Sequence, residues 1–284
     1  MLDARQRVIL SQLLRPPYLQ RWVVLLVVVA GILVLTGTGL ARVAGGPAPD
    51  AVEQGALQAA PAPVGPAVRT ATAAGGRTVA LTFDDGPDPV ITPQVLDLLA
   101  QYDAPATFCT VTQRAMEHWR LVRRIVAQGH RLCDHTSDHD PALASAPPAD
   151  IARAMGISRA ELITAAGGPG VPVSLFRAPQ GAWSPALAEA AATSGMTPLG
   201  WSVDTRDWTG VPAATIVATV QRDLHDGGVI LLHDGGGPRA ETVGALRELL
   251  PWLRDQGYRI VLPDDPAAPA APDGAGSAEP DEAR

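Results

Sequence analysis

The sequence predicts an α/β fold whose parallel sheet is either open or closed into a barrel. Between residues 77 and 263, short β-branched or apolar runs alternate with segments that have a helical pattern. Alternation of this kind is typical of repeated βα units. Side chains that can carry chemistry follow the predicted strands, at the carboxyl ends where βα barrels form their active sites. With 46% hydrophobic and 18% charged residues, the chain can bury a large core.

Seven segments have the composition of strands, and helix signals lie between them. The predicted strands are Thr78–Phe83, Ala106–Val111, Arg131–Asp134, Val173–Arg177, Thr197–Val203, Val229–His233 and Arg259–Leu262. Thr92 and Ser184 are each followed by a proline, which is typical of a helix N-cap and first turn. Gly129 stands where a glycine commonly ends a helix.

The N-terminal part of the chain has the pattern of a membrane anchor. Trp22–Leu40 is uncharged and long enough to cross a bilayer core of roughly 30 Å as a helix. Four arginines precede it and only Arg42 follows closely, so we expect residues 1–21 in the cytoplasm, a single span over residues 22–41 and export of the rest. A cleaved signal peptide is the alternative, although its apolar core is typically shorter, about 7–15 residues. A buried core helix is disfavoured because the segment has no polar face.

Two segments rich in Pro, Ala and Gly flank the predicted domain. Residues 42–76 and 264–284 contain few large apolar side chains, so burial cannot offset the entropy of ordering them. We therefore predict a flexible linker, a folded domain over residues 77–263 and a disordered tail. The formal net charge of -7 argues against a nucleic-acid partner, which would require a basic face.

A group of histidines and aspartates has the composition of a metal site. His135 and His139 are spaced so that one turn or a tight loop can aim both imidazoles at one ion. The adjacent Asp84 and Asp85 can supply a third ligand, and two carboxylates after an apolar strand are costly to bury without a cation. Two histidines, one aspartate and an open position suit catalytic Zn²⁺, with Co²⁺ or Ni²⁺ as other divalent candidates.

The same rim offers an acid and a base. If Asp85 binds the ion, Asp84 is free to take a proton from a water that the ion polarises. His233, at the end of another predicted strand, is placed to act as the acid for the leaving group. Taken singly, Asp84 could instead be a helix N-cap and His233 a hydrogen-bonded core histidine. Their occurrence together with the metal-binding pattern favours the catalytic interpretation.

Five ordered motifs resemble those of the polysaccharide deacetylases, the NodB-homology family of carbohydrate esterases (family four). The motifs are TFDDG at Thr82–Gly86, HTSDH at His135–His139, RAPQG at Arg177–Gly181, DTRDW at Asp204–Trp208 and ILLHD at Ile230–Asp234. Each motif is weak alone, but five in order over residues 77–263 are specific. The resemblance implies a distorted (β/α) barrel of about seven parallel strands, an Asp-His-His metal site and hydrolysis of acetyl groups on sugars.

The resemblance also implies a role for individual residues. Asp84 would be the general base, and the metal ligands would be Asp85, His135 and His139. The resemblance further implies four supporting roles: Arg177 orients Asp84, the backbone N–H of Gln180 binds the oxyanion, Asp204 pairs with His233, and Leu231 and Trp208 wall the pocket around the acetyl methyl group. For Leu231 and Trp208, ordinary core packing is the alternative.

The sequence departs from the family pattern in two ways, at Gln180 and at the pair Cys109 and Cys133. Members often carry an aromatic residue at the position of Gln180, and Trp183 is a candidate to replace that sugar-stacking surface, with an ordinary core residue as the alternative. Cys109 and Cys133 lie on strands that we expect to be neighbours. Export would permit a disulfide between them, and two buried thiols are the alternative.

The expected function is removal of acetyl groups from an extracellular polysaccharide by a monomeric hydrolase. Tethering at the cell surface favours N-deacetylation of peptidoglycan amino sugars. Chitin oligosaccharides and acetylated xylan are alternative substrates, and they gain weight if the protein is secreted after cleavage of residues 22–41. Two non-enzymatic alternatives are a catalytically inactive sugar-binding module and a structural envelope protein. Neither explains why acids, bases and metal ligands are all retained.

Overall fold

The structure, a computed structural model, describes residues 65–266. The predicted cytoplasmic segment over residues 1–21, the predicted anchor over residues 22–41 and most of the predicted tail lie outside these residues. Within the part of the chain that the structure describes, no helix combines the length and hydropathy needed to cross a bilayer.

The domain is an α/β fold around a sheet of eight parallel strands. The strands are β1 Thr78–Asp84, β2 Thr107–Thr110, β3 Arg131–Asp134, β4 Val173–Phe176, β5 Thr197–Pro198, β6 Val203–Asp204, β7 Gly228–His233 and β8 Arg259–Ile260. Seven of them follow one another in the order β5-β4-β3-β2-β1-β7-β6, and β8 pairs with the first residues of β1. β1 is an interior strand of the sheet, since it pairs with β2, β7 and β8, and all seven of its residues are buried. The expectation of about seven parallel strands in a barrel-like sheet is confirmed.

The strand predicted over Thr197–Val203 is wrong, because this segment forms two strands on opposite edges of the sheet. β5 pairs with β4 and β6 pairs with β7, so the four residues between them cross from one edge to the other. At Gly200 the chain meets the backbone of Arg69, which accepts the Gly200 N–H at 2.7 Å. A Cβ on Gly200 would lie 2.9 Å from a methyl group of Val68. We call the crossing segment, residues 199–202, the seam of the barrel.

The linker predicted to end at residue 76 ends earlier, and the tail predicted from residue 264 begins later. Arg69 bridges to Leu199 and Ala71 bridges to Gly228, so this segment joins the sheet. The Oγ of Ser174 donates to the carboxylate of Asp264 at 3.3 Å. Backbone pairing, which composition does not report, orders these flanking residues.

Within residues 65–266, seven α-helices connect the strands and cover the sheet. They are α1 Ile91–Gln101, α2 Thr112–Glu117, α3 Trp119–Ala127, α4 Pro148–Ala166, α5 Pro185–Thr193, α6 Ala213–Asp223 and α7 Ala240–Asp255. Ser184 caps α5 as predicted, accepting the Leu187 N–H at 3.2 Å. Thr92 is not the cap of α1; the Asp88 carboxylate accepts the first N–H groups, and the buried Thr92 hydroxyl donates instead to Asp234 at 2.5 Å.

The sheet separates two apolar clusters, one beneath the helices and one inside the sheet. The side chains of the site residues point to the inner side. On β1, Val79, Leu81 and Phe83 pack into the large cluster beneath the helices. Ala80 belongs to a smaller cluster inside the sheet, with Cys109, Cys133, Leu175, Leu199 and Val229. Because side chains alternate along a strand, Thr82 and Asp84 face inward with Ala80. Cys109 and Cys133 are register partners on β2 and β3 and are joined in a disulfide.

Candidate active site

The candidate active site is the last inward-facing layer of the barrel. On β3 and β4 it lies two residues beyond the inner cluster, since His135 comes two residues after Cys133 and Arg177 two residues after Leu175; on β7, His233 lies on the same face as the cluster residue Val229, four residues further along. Asp84 occupies the equivalent position on β1, and its register partner on β7 is His233. The period of two along each strand therefore brings distant parts of the sequence to one rim.

Asp85, His135 and His139 form a group that can hold a metal ion. One ligand atom from each lies within 4.8 Å of the others. Oδ1 of Asp85 is 3.3 Å from Nε2 of His139 and 3.6 Å from Nε2 of His135. This oxygen is buried and has no hydrogen-bond partner among the described residues, as expected for an atom that binds a cation. The residues therefore fit the metal site that the sequence predicts.

Hydrogen bonds behind the histidines fix their orientation. Nδ1 of His135 donates to the carbonyl oxygen of Arg177 at 2.8 Å, which leaves Nε2 free to face Asp85. The carboxylate of Asp134 accepts the Thr136 N–H at 2.9 Å and the Ser158 hydroxyl at 2.6 Å. The Thr136 hydroxyl in turn accepts the His139 N–H at 3.1 Å. Together these bonds hold the turn that carries both histidines.

The carboxylate of Asp85 lies in a space that only glycines leave open. Asp85 has a positive φ of 69°. A Cβ on Gly236 would lie 2.3 Å from Oδ2 of Asp85, and a Cβ on Gly235 would lie 2.2 Å from its carbonyl oxygen. The glycines that follow His233 in the sequence are therefore part of the site, because any side chain there would collide with the candidate ligand.

Asp84 is held ionised by Arg177, as the family resemblance implies. Arg177 is fully buried, and its guanidinium donates to Oδ1 of Asp84 at 2.7 Å. Burial alone would raise the pKa of Asp84, but the charges of Arg177, His135 and His233 outweigh burial and lower the pKa below its ordinary value. The carboxylate is therefore available as a proton acceptor at neutral pH.

The predicted pairing of Asp204 with His233 is wrong, because Asp207 is the partner. Oδ1 of Asp207 lies 2.7 Å from Nδ1 of His233, and Oδ2 accepts the backbone N–H of His233 at 2.8 Å. Asp204 is exposed, and its carboxylate accepts the N–H of Arg206 at 2.9 Å. Arg206 has a positive φ of 55°, and this turn carries the second aspartate of the DTRDW motif, not the first, back under His233.

The Asp207 partner changes the acidity of His233. Burial by itself would lower the pKa of His233, but the hydrogen bond and the charge of Asp207 raise it above the ordinary value. The carboxylates of Asp84 and Asp85 add to this effect. His233 thus faces the cavity as an imidazole that holds its proton more tightly than a free histidine does.

A cavity of about 500 Å³ opens over these groups. Of the predicted substrate-binding residues, Gln180, Leu231 and Trp208 line it. Gln180 has a positive φ of 54°, and its backbone N–H has no hydrogen-bond acceptor among residues 65–266. Trp208 is 51% exposed at the rim, whereas Leu231 is buried in the wall.

Four cavity residues were not among the predicted site residues, namely Gly181, Trp201, Gly236 and Arg239, and one prediction does not hold. Trp183 is not among the lining residues; its ring packs edge-on against Phe176 at 5.8 Å between centroids. Trp201, in the seam, lines the cavity instead, next to Gly181. Arg239 also lines it. Neither Trp201 nor Arg239 lies in one of the five motifs. Arg239 lies shortly after the last motif, which ends at Asp234, so its position near that motif is a signal that could have found it.

Comparison with known proteins agrees with this site. The polysaccharide deacetylase family model matches residues 71–199. A chitooligosaccharide deacetylase of Sinorhizobium fredii is 40% identical over 196 residues, covering 66% of this chain and 90% of the relative. A peptidoglycan-N-acetylglucosamine deacetylase of Bacillus cereus is 38% identical over 190 residues, covering 65% of this chain and 85% of the relative.

The fold matches as well. A solved structure of a peptidoglycan N-acetylglucosamine deacetylase superimposes with a TM-score of 0.64 and 32% sequence identity, covering 70% of this chain and 94% of the other. The family match over residues 71–199 includes Asp84, Asp85 and the two histidines. The chain therefore belongs to the polysaccharide deacetylase family, the NodB-homology hydrolases of carbohydrate esterase family four.

Proposed function

We propose that this protein is a metal-dependent deacetylase that hydrolyses the N-acetyl groups of amino sugars in an extracellular polysaccharide, with peptidoglycan as its substrate. The observation that carries the proposal is the arrangement of a base and an acid around one candidate metal site. Asp84, held ionised by Arg177, and His233, held by Asp207, line the same cavity as Asp85, His135 and His139. A hydrolase that attacks an amide with water needs these three functions together.

Asp85, His135 and His139 would hold the metal ion. A divalent cation bound there, Zn²⁺ by preference and Co²⁺ or Ni²⁺ as alternatives, would supply Lewis-acid chemistry to the water and to the acetyl carbonyl group.

The chain's own residues would move the protons. Asp84 accepts a proton from the attacking water, and its lowered pKa keeps it ready to do so at neutral pH. His233 donates a proton to the departing amine nitrogen, since an amine leaves more readily than its anion. Its raised pKa keeps that proton in place until it is needed. Arg177 and Asp207 act by positioning the two groups.

Backbone and apolar groups would hold the acetyl group. The unpaired N–H of Gln180 is a donor for the acetyl oxygen as negative charge develops on it. Leu231 gives the methyl group an apolar wall. Trp208, half exposed at the rim, offers a flat surface for a sugar ring.

Two observations support an extracellular polysaccharide. The disulfide between Cys109 and Cys133 fits an oxidising compartment. The uncharged segment over residues 22–41, with arginines before it, favours a membrane tether that keeps the domain near the cell wall. The names of the relatives leave two substrates, because one relative is a peptidoglycan deacetylase and another a chitooligosaccharide deacetylase. The tether favours peptidoglycan.

The test is acetate release by the purified full-length chain from peptidoglycan, chitooligosaccharide and acetylated xylan, with added Zn²⁺ and with chelator. Asp84→Asn removes the base but preserves the shape of the side chain, and we expect it to lower kcat by at least about 100-fold. Asp88→Asn, outside the cavity, is the matched control. Absence of release from all three polymers by a protein that binds metal would reject the enzymatic proposal in favour of a sugar-binding module.

A further inference from the structure

Arg239 is a buried cation in the wall of the cavity. It lies directly before α7, after the glycines that follow His233, and its side chain is 5% exposed. It lines the same cavity as His233, Trp208 and Gly236. Nothing in the proposed reaction uses this residue.

The guanidinium of Arg239 has no counter-charge among the residues that the structure describes. Nη1 donates to the neighbouring carbonyl oxygen of Pro238 at 3.0 Å, and Nε has no hydrogen-bond partner. No carboxylate oxygen of residues 65–266 lies within 4.0 Å of it. Burying an unpaired cation is costly, so a buried arginine of this kind is expected to bind an anion.

The acidic side chains of the cavity already have other partners. Asp84 pairs with Arg177, and Asp85 faces the two histidines. The carboxylate of Asp204 accepts the N–H of Arg206. Among residues 65–266, no acidic side chain of the cavity is therefore left to neutralise Arg239, and a bound ligand can supply the anion.

The backbone next to Arg239 leaves it open on one side. Gly237 has a φ of 149°, and a Cβ at that position would lie 3.4 Å from Nη1 of Arg239. A side chain at this position would contact the guanidinium, so glycine leaves that side of the buried arginine free of a further side chain, where it lines the cavity. Its planar fork of N–H donors matches the two oxygens of a carboxylate.

We infer that Arg239 binds a carboxylate on the polymer, carried by a sugar next to the one that is deacetylated. The inference rests on the proposed function and narrows its substrate class to acidic polysaccharides. Glycan strands of peptidoglycan that are free of stem peptide carry a lactyl carboxylate on every second sugar, whereas chitooligosaccharides carry none. Arg239 would therefore favour the former by charge, without taking part in the chemical step.

The experiment compares three substrates for the full-length protein. They are peptide-free peptidoglycan strands with free carboxylates, the same strands after the carboxylates are converted to amides, and the neutral chitopentaose. The variants are Arg239→Gln, Arg239→Lys and, as control, Arg247→Gln, which removes an exposed arginine from α7, the helix that Arg239 precedes. The readouts are kcat and KM for acetate release.

We expect the wild-type protein to prefer the free carboxylates over the amides by about tenfold or more in kcat/KM. Arg239→Gln should lower kcat/KM for the carboxylate strands by about 10- to 100-fold, mainly through KM, which corresponds to losing a hydrogen bond to a charged group. Activity on the other two substrates should change by no more than about twofold. Arg239→Lys should lie between, and Arg247→Gln should match the wild type.

Three results would overturn the inference: no wild-type preference for free carboxylates, an unchanged Arg239→Gln, or an equal loss on all three substrates, which indicates a structural role. Activity on chitopentaose reports whether a variant is folded, and the wild-type preference is measured without any variant. Failure of the proposed function is a different result, namely no metal-dependent acetate release by the wild type from any of the three.

Discussion

At the scale of single residues, each charged group that the proposed reaction uses is matched by one from another part of the sequence. Asp84 on β1 is matched by Arg177 after β4, and His233 on β7 by Asp207 after β6. The pKa of Asp84 is lowered, which favours the ionised base, and the pKa of His233 is raised, which favours the protonated acid. The partner of each group sets its pKa, so replacing Arg177 or Asp207 should change the protonation of Asp84 or His233 even where the fold of the protein is preserved.

Asp207→Asn should shift the pH dependence of the reaction. Without the carboxylate the pKa of His233 falls, so less of the imidazole is protonated at neutral pH and the alkaline limb of the kcat/KM profile moves to lower pH. We expect a shift of about one pH unit or more and a loss of at least about tenfold at neutral pH. Asp207 also accepts the hydroxyl hydrogen of Thr242 at 2.7 Å, so the fold of the variant should be checked by thermal unfolding.

Asp204→Asn is the matched control for that experiment. Asp204 lies in the same motif and on the cavity wall but makes no contact with His233. Its alkaline limb should stay at the wild-type position. A shift in Asp204→Asn without one in Asp207→Asn would contradict the pairing described above.

Gly236→Ala should weaken metal binding while leaving the metal ligands in the sequence. The added methyl group would lie 2.3 Å from Oδ2 of Asp85, and the positive φ of 74° adds backbone strain. Displacement of one ligand should raise the Zn²⁺ dissociation constant by about 10- to 100-fold, measured by titration calorimetry. Gly156→Ala, on α4 with no atom near the added Cβ, should bind as the wild type does; equal affinities in both variants would contradict this account.

The strand pattern places some of the candidate catalytic residues at the rim, but not all of them. The period of two along strands places Asp84, His135, Arg177 and His233 on one face, and the residues by themselves predict that rim. Asp207 could not be separated from Asp204 in this way, because a turn with a positive φ at Arg206, not a strand, sets its direction.

At the scale of elements, the loops and connections hold buried polar groups that strand and helix patterns do not report. His130 lies between α3 and β3, and its Nδ1 accepts the N–H of Ala106 at 3.2 Å. Burial, with a contribution from the charge of Arg124, lowers the pKa of His130 to about 4. The neutral imidazole is thus part of the joint between β2 and β3.

His130 should make the protein less stable in acid. The pKa of His130 in the folded state is below the ordinary value of 6.5. The contribution of its neutral imidazole to the free energy of unfolding is therefore fully present above pH 6.5 and is lost as pH falls through about 4. His130→Asn keeps an acceptor for Ala106 but does not titrate. Between neutral pH and pH 4, the free energy of unfolding should fall by up to about 3 kcal/mol more in the wild type than in this variant, measured by urea denaturation.

The matched control is His225→Asn, at an exposed position. Its loss of stability with acid should parallel that of the wild type. If His130→Asn also parallels the wild type, the imidazole does not carry the pH dependence.

At the scale of the whole molecule, the barrel is closed by the chain itself. The seam crosses from β5 to β6. The sequence predicted one continuous strand over Thr197–Val203, because the composition of this segment is that of a strand. What divides it is a set of long-range contacts. Arg177 donates to the carbonyl oxygens of Leu199 at 3.1 Å and Gly200 at 2.8 Å, and Arg69 hydrogen-bonds from outside the predicted domain. Such contacts have no local signal in sequence.

The disulfide joins β2 to β3 inside the barrel, directly below the candidate metal site. Cys109 and Cys133 are fully buried, the carbonyl oxygen of Cys109 accepts the N–H of Asp85, and Cys133 is two residues before His135. The bridge therefore ties β3, which leads to His135 and His139, to β2, whose Cys109 carbonyl oxygen accepts the N–H of Asp85. Its loop is 24 residues long, and closing a loop of this length in the unfolded chain stabilises the folded state by about 3 kcal/mol.

Replacing both cysteines by alanine should lower the free energy of unfolding by about 3 kcal/mol, measured in urea without reductant. The wild type should show the same loss when reductant is present, and the variant should be insensitive to it. Alkylation in denaturant should modify neither cysteine of the wild type unless reductant is added first. Two thiols that react without reductant would show that the pair is not bridged, and the stability of the strands beneath the site would then depend on packing alone.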